Sequence, residues 1–223
     1  MTALVGLDVG TTAVKSAAVS PGGTVLARAE RGYPLSTPHP GWSEQDPERW
    51  WQAAEAALAE VSAGREVVGI GLSGQMHGLV VLDAAGRVIR PAILWNDQRT
   101  ARECAEIEAG IGLERLIELT GNRALPGFTA PKLLWLRRHE PDAYSRVARI
   151  CLPKDYVRLQ LTGAWATDVA DASGTLLSWL RESFVWSDRG TTRRGSSSSR
   201  RAARADARCR SRRCSEMSSS NTR

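Results

Sequence analysis

Apolar positions near the start of the chain come in short runs broken by polar turns. "ALVGLDVG" reads as a buried strand, "AVKSAAVS" as its neighbour, and "TVLARAERGY", after the Pro21-Gly22-Gly23 turn, as a third. Three short strands with turn residues between them predict an antiparallel meander. The period then changes. In "GWSEQDPERWWQAAEAALAEV" the residues Trp50, Ala54, Leu58 and Val61 fall on one helical face. Asp46 is placed to cap that helix, and Pro47 suits its first position, where a missing N–H costs nothing. "EVVGIGLS" is continuously apolar, which predicts a strand covered on both faces. "GLVVLDAAGRVIRPAILW" predicts a strand, a turn at Gly86 and a second strand.

From Arg99 the pattern is helical, through "TARECAEIEAGI" and "LERLIELTG". "TAPKLLWLRRHEPDAY" reads as a helix with Pro131 near its start, "ICLPKDYVRLQLTG" holds another short helix, and "WATDVADASGTLLSWL" follows. Strands first and then strand–helix alternation predict an α/β fold, a mixed sheet with helices packed on it. After Leu180 the large apolar residues almost vanish. "RGTTRRGSSSSRRAARADARCRSRRCSEMSSSNTR" offers too little surface to offset the entropy of ordering it, so residues 181–223 are expected to be a disordered Arg/Ser-rich tail behind a domain over residues 1–180.

Charge follows the same division. The 223 residues carry a formal net charge of +6, but residues 1–180 hold 18 basic against 20 acidic side chains, and residues 181–223 hold 12 against 4. The basicity therefore belongs to the tail, and a nucleic-acid or anionic-surface role for the domain loses its main support. An RNA-binding arm remains one reading of the tail. A shifted reading frame in a GC-rich gene gives the same Arg/Ser/Ala/Cys mixture, and resequencing that found an in-frame continuation would identify it as such. The four cysteines lack metal-ligand spacing, no apolar run reaches the ~18 residues of a membrane span, and Asp8 interrupts the only apolar run near the start. These features predict a soluble cytoplasmic protein.

Three stretches carry chemistry. Asp8, Gly10, Thr11, Thr12 and Lys15 lie at and beside the first turn, where backbone N–H groups and two hydroxyls suit a phosphate. Asp8 is placed to hold Mg²⁺ through water, because that hard ion takes one or two carboxylates together with substrate oxygens. Lys15 adds a positive charge if it shares the face of Asp8. The segment matches neither the P-loop nor the dinucleotide fingerprint, and an ordinary hairpin with a polar tip would read the same way. In "GLSGQMHGLVVL", glycines flank Gln75, Met76 and His77 and let the backbone approach a ligand closely. In "RPAILWNDQRT", Trp95, Asn96 and Asp97 crowd a strand end, as suits a polyol whose C–H bonds lie on an aromatic face. Asn96 or Asp97 would equally serve to cap the helix that follows.

Taken together, "GLDVGTTAVKSAAV", "HPGWSEQDPERWW", "GLSGQMHG", "RPAILWNDQRT", "TGNRALPGFTAPKLLWLRRHEP", "LPKDYVRLQLTG" and "TDVADASGT" resemble the FGGY carbohydrate kinases and, within them, the xylulokinase branch. The likeness runs from Leu4 to Leu177. It implies an actin-like, ribonuclease-H-like N-terminal lobe of a two-lobed kinase. It implies ATP and Mg²⁺ as co-substrate and cofactor, and phosphoryl transfer to a primary hydroxyl of D-xylulose. By the same resemblance, Asp8, Gly10, Thr11 and Thr12 face the γ-phosphate, Met76 and His77 contact the sugar, and Asn96 and Asp97 lie along the same wall. The family's catalytic base and adenosine-binding loops lie beyond the likeness, and nothing in residues 181–223 matches them. Asp168 and Asp171 are expected to pack locally. The chain is accordingly expected to be the sugar-binding half of such a kinase, inactive alone and prone to self-association through surface the other lobe would cover.

Overall fold

The computed structural model describes residues 1–177 together with the backbone of Phe184–Val185 and Arg193–Arg194. The chain divides into two units, Met1–Ser178 and Trp179–Arg223. The first begins with β1 (Thr2–Val9), β2 (Ala13–Val19), β3 (Val25–Gly32) and the two-residue β4 (Glu44–Gln45). Helix α1 (Pro47–Ser62) leads into β5 (Glu66–Gly74), β6 (Val80–Leu82) and β7 (Ala92–Ile93). Helices α2 (Ala101–Ile111), α3 (Leu113–Thr120), α4 (Thr129–His139) and α5 (Pro141–Ser145) follow, then β8 (Arg149–Cys151), α6 (Pro153–Thr162) and α7 (Val169–Ser173). In the second unit β9 (Phe184–Val185) pairs antiparallel with β10 (Arg193–Arg194). The expectation of a disordered 181–223 tail otherwise lies outside the described residues.

The meander forms as its pattern predicts, and the main sheet has the order β3-β2-β1-β5, antiparallel except where β5 runs parallel to β1. Alternate residues of β1 point to opposite sides, so Ala3, Val5, Leu7 and Val9 are buried on one face with Val14 and Ala18 of β2. Helix α1 covers that face. Asp46 caps it by accepting from the Glu48 N–H at 3.0 Å, and Trp50, Ala54, Leu58 and Val61 are all buried against the sheet. The opposite face carries Leu4, Gly6 and Asp8 and stays open.

Three details depart from the sequence reading. Strand β5 is not covered on both faces: Val68 is 58% and Ile70 47% exposed, because β5 is the edge of the described sheet. Continuous apolarity here marks surface left at an edge, not a central position. The second strand expected after Gly86 shrinks to the two residues of β7, which pair with β4, while Val88 makes only an isolated bridge to Leu82. The helix read through "TAPKLLWLRRHEPDAY" breaks at Glu140, where Pro141 starts α5.

Trp50 should be the most costly residue to remove from this core. It is fully buried on α1 and its indole N–H donates to Gln45 Oε1 at 3.0 Å. Trp50→Ala should lower stability by about 3–5 kcal/mol in urea unfolding; a loss under about 1 kcal/mol would show that α1 does not anchor the sheet.

Candidate active site

The site is made where β1 and β5 end together. Their parallel register sets Asp8 opposite Ser73, and the Ser73 hydroxyl donates to Asp8 Oδ1 at 2.7 Å. The chain leaves β1 into the Gly10–Thr12 turn and leaves β5 into the Gln75–Gly78 turn, so the two polar stretches become neighbours. Gln75 N–H donates to Val9 O at 2.8 Å and joins them directly.

The first turn is gripped by its carbonyls. Gly10 O accepts from the Tyr33 hydroxyl and from Gln75 Nε2 at 3.3 Å, and Thr11 O accepts from Gln45 Nε2 at 2.7 Å. Gln45 Oε1 in turn accepts from Trp50 Nε1 and from Gln75 Nε2 at 3.2 Å. Gly10 N–H closes the turn on Ala13 O at 3.1 Å and is taken, whereas the Thr11 and Thr12 N–H groups find no acceptor among the described residues. Gly10 has a steric reason to be glycine: a Cβ there would sit 2.9 Å from Ala13 O. Tyr33 stays protonated, because burial and then the Asp8 charge raise its pKa. Lys15 stands directly opposite Asp8 in the β1–β2 register, so both lie on the open face, with Glu30 next in line on β3. Asp8, Lys15, Arg28 and Glu30 line one hollow of about 530 Å³ there.

The second turn presents Met76, half exposed, and His77, whose φ of 62° is left-handed and unusual for a residue with a side chain. The His77 ring packs on Phe128 at 4.8 Å between centroids, and its pKa falls through burial and then the nearby Lys132 charge. The ring is therefore neutral near pH 7. Gly174 leaves room for it, since a Cβ at that position would lie 2.4 Å from His77 Cε1.

Of the third stretch only part reaches the site. Trp95 is 47% exposed, and its indole N–H donates to Thr11 Oγ1 at 3.0 Å, tying this wall to the first turn. Asn96 lies beside it with a buried Oδ1 that has no partner among the described residues. Asp97 is fully buried, and its oxygens accept from Ser43 N–H at 2.7 Å and from Arg99. It supports the wall from behind and offers a ligand nothing. Neither Asn96 nor Asp97 caps α2, whose N-cap is Thr100 without a side-chain bond. Arg99 is buried with Asp97 and Glu44 as ion partners at 2.7 and 2.8 Å, its guanidinium 3.6 Å from the Trp42 ring centroid and 4.8 Å from that of Trp135. Gln75 likewise braces rather than faces outward.

Asp168 and Asp171 are occupied. Lys154 bonds Asp155, Asp168 and Asp171 at 3.0, 2.6 and 2.8 Å. Burial works against the Lys154 charge, but bonds to the three carboxylates outweigh it and raise its pKa. Burial likewise raises Asp168, yet its bond to Lys154 prevails and its pKa is lowered. A carboxylate held ionised in this way is a poor proton acceptor.

Residues that the sequence reading did not single out do much of the positioning. Gln45 sits in "GWSEQDPERWW" and Lys132 in "PGFTAPKLLW". Lys132 is wholly buried and donates to His77 O at 2.8 Å and Gly127 O at 2.5 Å. The one signal for Lys132 is a polar residue embedded in an apolar segment, whereas Gln45, among Ser43, Glu44 and Asp46, gives none. Among the described residues no group of three or more His, Cys, Asp or Glu is placed to hold a metal. The donor set nonetheless suits Mg²⁺ bound mainly by phosphate and water, with Asp8 as a single protein carboxylate.

Comparison with known proteins agrees with the fold. Residues 3–191 match the N-terminal domain of the FGGY family of carbohydrate kinases. The xylulose kinase of Escherichia coli K12 is 49% identical over 179 residues, which is 79% of this chain and 36% of that protein. The xylulose kinase of Klebsiella pneumoniae is 48% identical over the same shares. A solved xylulose kinase from Rhodospirillum rubrum superposes with a TM-score of 0.76 at 37% identity, covering 78% of this chain and 37% of that one. The chain thus spans little more than a third of the length of the curated relatives it matches. Relatives of the same lobe share an actin-like architecture with the mixed sheet described above.

Two outcomes test the bracing. Gln45→Leu strands the Thr11 carbonyl and the Trp50 indole N–H, and should cost about 3 kcal/mol in urea unfolding; a change within about 0.5 kcal/mol would rule the brace out. Burial, with Arg99 adding to it and Asp97 opposing, pushes Lys132 from 10.5 down to about 7. Between those values the unfolded chain holds a proton that the folded one lacks, so stability contributed by this group rises with pH. Relative to Lys132→Met, the wild-type chain should gain stability between about pH 7 and 8.5, by at most ~1.4 kcal/mol per unit. Parallel pH profiles would show that Lys132 keeps its ordinary pKa.

Proposed function

The chain belongs to the FGGY family of carbohydrate kinases, and from that premise we propose that it is the sugar-holding lobe of a D-xylulose kinase. The reaction is transfer of the ATP γ-phosphoryl group to a primary hydroxyl of D-xylulose, giving D-xylulose 5-phosphate. One observation carries the reading: the Asp8–Thr12 turn and the Gln75–Gly78 turn are neighbours at one sheet edge, tied by Ser73 and Gln75, with Trp95 bonded to the first of them. A phosphate site and a polyol wall in contact are what phosphoryl transfer to a sugar requires.

Each residue has a task in that scheme. Neutral His77 is suited to share hydrogen bonds with sugar hydroxyls, while Met76 and the exposed Trp95 ring cover C–H surface. The free N–H groups of Thr11 and Thr12, with the Thr12 hydroxyl, are suited to the γ-phosphate oxygens, and Lys15 adds charge on the same face. Mg²⁺, when bound with the nucleotide, supplies charge neutralisation at the transferring phosphoryl group. Asp8 is the carboxylate to hold it through water. The base that accepts the hydroxyl proton is not among these residues, since Asp168 and Asp171 are engaged by Lys154. We therefore infer a cytoplasmic enzyme lobe that binds its ketose but turns it over only when the nucleotide lobe is supplied.

Calorimetry with D-xylulose, D-gluconate and glycerol decides the substrate class. The purified chain should bind D-xylulose in preference to the other two, and His77→Ala should weaken that binding at least about tenfold without changing the melting temperature. Preference for gluconate or glycerol would move the chain to another branch of the family. Turnover of xylulose and ATP by the isolated chain at about the 1–100 s⁻¹ usual for kinases would overturn the inference that it lacks its base.

A further inference from the structure

His77 is held in a conformation it would not choose. A side chain in the left-handed region costs roughly 1–2 kcal/mol, and the turn around it is short. Its ring packs on Phe128 and against the backbone of Gly174, but neither contact fixes the peptide itself. The peptide is held from both ends: Gly78 N–H donates to Met76 O at 2.8 Å inside the turn, and the carbonyl is gripped from α4. His77 O accepts from Lys132 Nζ at 2.8 Å and from Thr129 Oγ1 at 3.2 Å, and Thr129 and Lys132 are three residues apart on one face of α4. The second Lys132 bond, to Gly127 O at 2.5 Å, ties the same ammonium to the segment that leads into α4.

Lys132 has no exposed surface and, among the described residues, no carboxylate within ion-pair distance. A buried lysine with only carbonyl partners is expensive, and a methionine would fill the same volume more cheaply. Burial lowers its pKa to about 7, so the amine can shed its charge while still donating both bonds. The hydrogen bonds of the lysine thus go to the two carbonyls, while Asp97 and Arg99 lie near enough to act on its charge in opposite senses. We infer that Lys132 is the positioning residue of the sugar site: acting through the His77 carbonyl, it sets where the His77 imidazole and the Met76 side chain stand. This rests on the reading that those two side chains meet the ketose, but the positioning itself can be measured without any sugar.

The chain has three histidines and three methionines, so ring and methyl NMR signals can be assigned one by one. In the full 223-residue chain, Lys132→Met should displace the His77 ring and Met76 methyl signals while leaving His39, His139 and the amides of β1 and β2 in place. His77 should also titrate at higher pH, because the Lys132 charge that opposes its protonation is gone, leaving Asp171 and the Gly174 backbone as its polar neighbours. D-xylulose affinity should fall at least about tenfold. Thr129→Val removes only the weaker donor and should displace the same signals by less, which decides the matter if Lys132→Met does not fold. Unchanged His77 and Met76 signals in a folded variant of either kind would overturn the inference. If the wild-type chain binds no D-xylulose yet His77 and Met76 move, the substrate reading fails and the positioning role stands.

Discussion

The parallel pairing of β1 with β5 is the constraint on which the rest depends. It places Asp8 opposite Ser73 and brings the carboxyl ends of both strands to one edge, where open α/β sheets bind their ligands. The pairing is also unforgiving. A slip of one residue would turn Asp8 toward α1 and Leu7 toward solvent, burying a carboxylate against Trp50 and its apolar neighbours. Ala3, Val5, Leu7 and Val9 on the covered side, in unbroken alternation along β1, fix the register that sets the site, and the bulge opposite Ala3 and Leu4 is taken up by Val68 in β5.

Around that edge the structure uses long-range donors aimed at backbone carbonyls. Gln45 reaches Thr11 O, Gln75 reaches Gly10 O, and Lys132 and Thr129 reach His77 O. The third wall is secured differently. Arg99 lies against the faces of Trp42 and Trp135 and is ion-paired with Asp97 and Glu44, while Leu94 N–H donates to Ser43 O at 3.0 Å and Ser43 N–H to Asp97. Trp95 is thereby held at the end of a rigid strap and can reach Thr11 Oγ1. An arginine buried with two carboxylates is a costly device for stability alone, and breaking such a pair usually costs more than making it gains. Its value here is geometric, since the strap leaves Trp95 little freedom.

Much of this was legible in the sequence, and the limits have physical causes. The meander, the Asp46-capped helix and the three polar stretches follow from local rules: period, turn residues and capping. Which face Lys15 occupies was open until the register paired it with Asp8, because facing depends on the turn as much as on the strand. Asp97 read as a ligand for hydroxyls, yet its oxygens are taken by Ser43, 54 residues earlier in the chain, and by Arg99. The exposure of β5 was invisible for a related reason. A continuous apolar run reports that a strand has two apolar faces, not that anything lies against both.

The same division explains which residues a motif reveals. A donor that grips a carbonyl leaves the N–H groups and side-chain tips of the gripped residue unengaged, which is what a ligand site needs. Thr11 N–H, Thr12 N–H, the Met76 side chain and Asp8 Oδ2 are unengaged in this way, and the stretches that carry them look polar and glycine-rich where the neighbouring chain is apolar. The gripping residues are buried to hold their geometry, and nothing local marks them: Lys132 sits in an apolar segment and passes for core, while Gln45 passes for one more polar residue ahead of a helix. Lys132 carries the cost most plainly. Desolvation disfavours its charge, His77 is kept in a strained turn, and both penalties fall on the folded state. The lobe offsets them with the α1-covered face of the sheet, a large apolar core that starts at Val9 and Trp50 beside the first turn and runs back along β1. Stability is thus made on one side of β1 and spent on the other, and the alternation of a single eight-residue strand is what keeps the two sides apart.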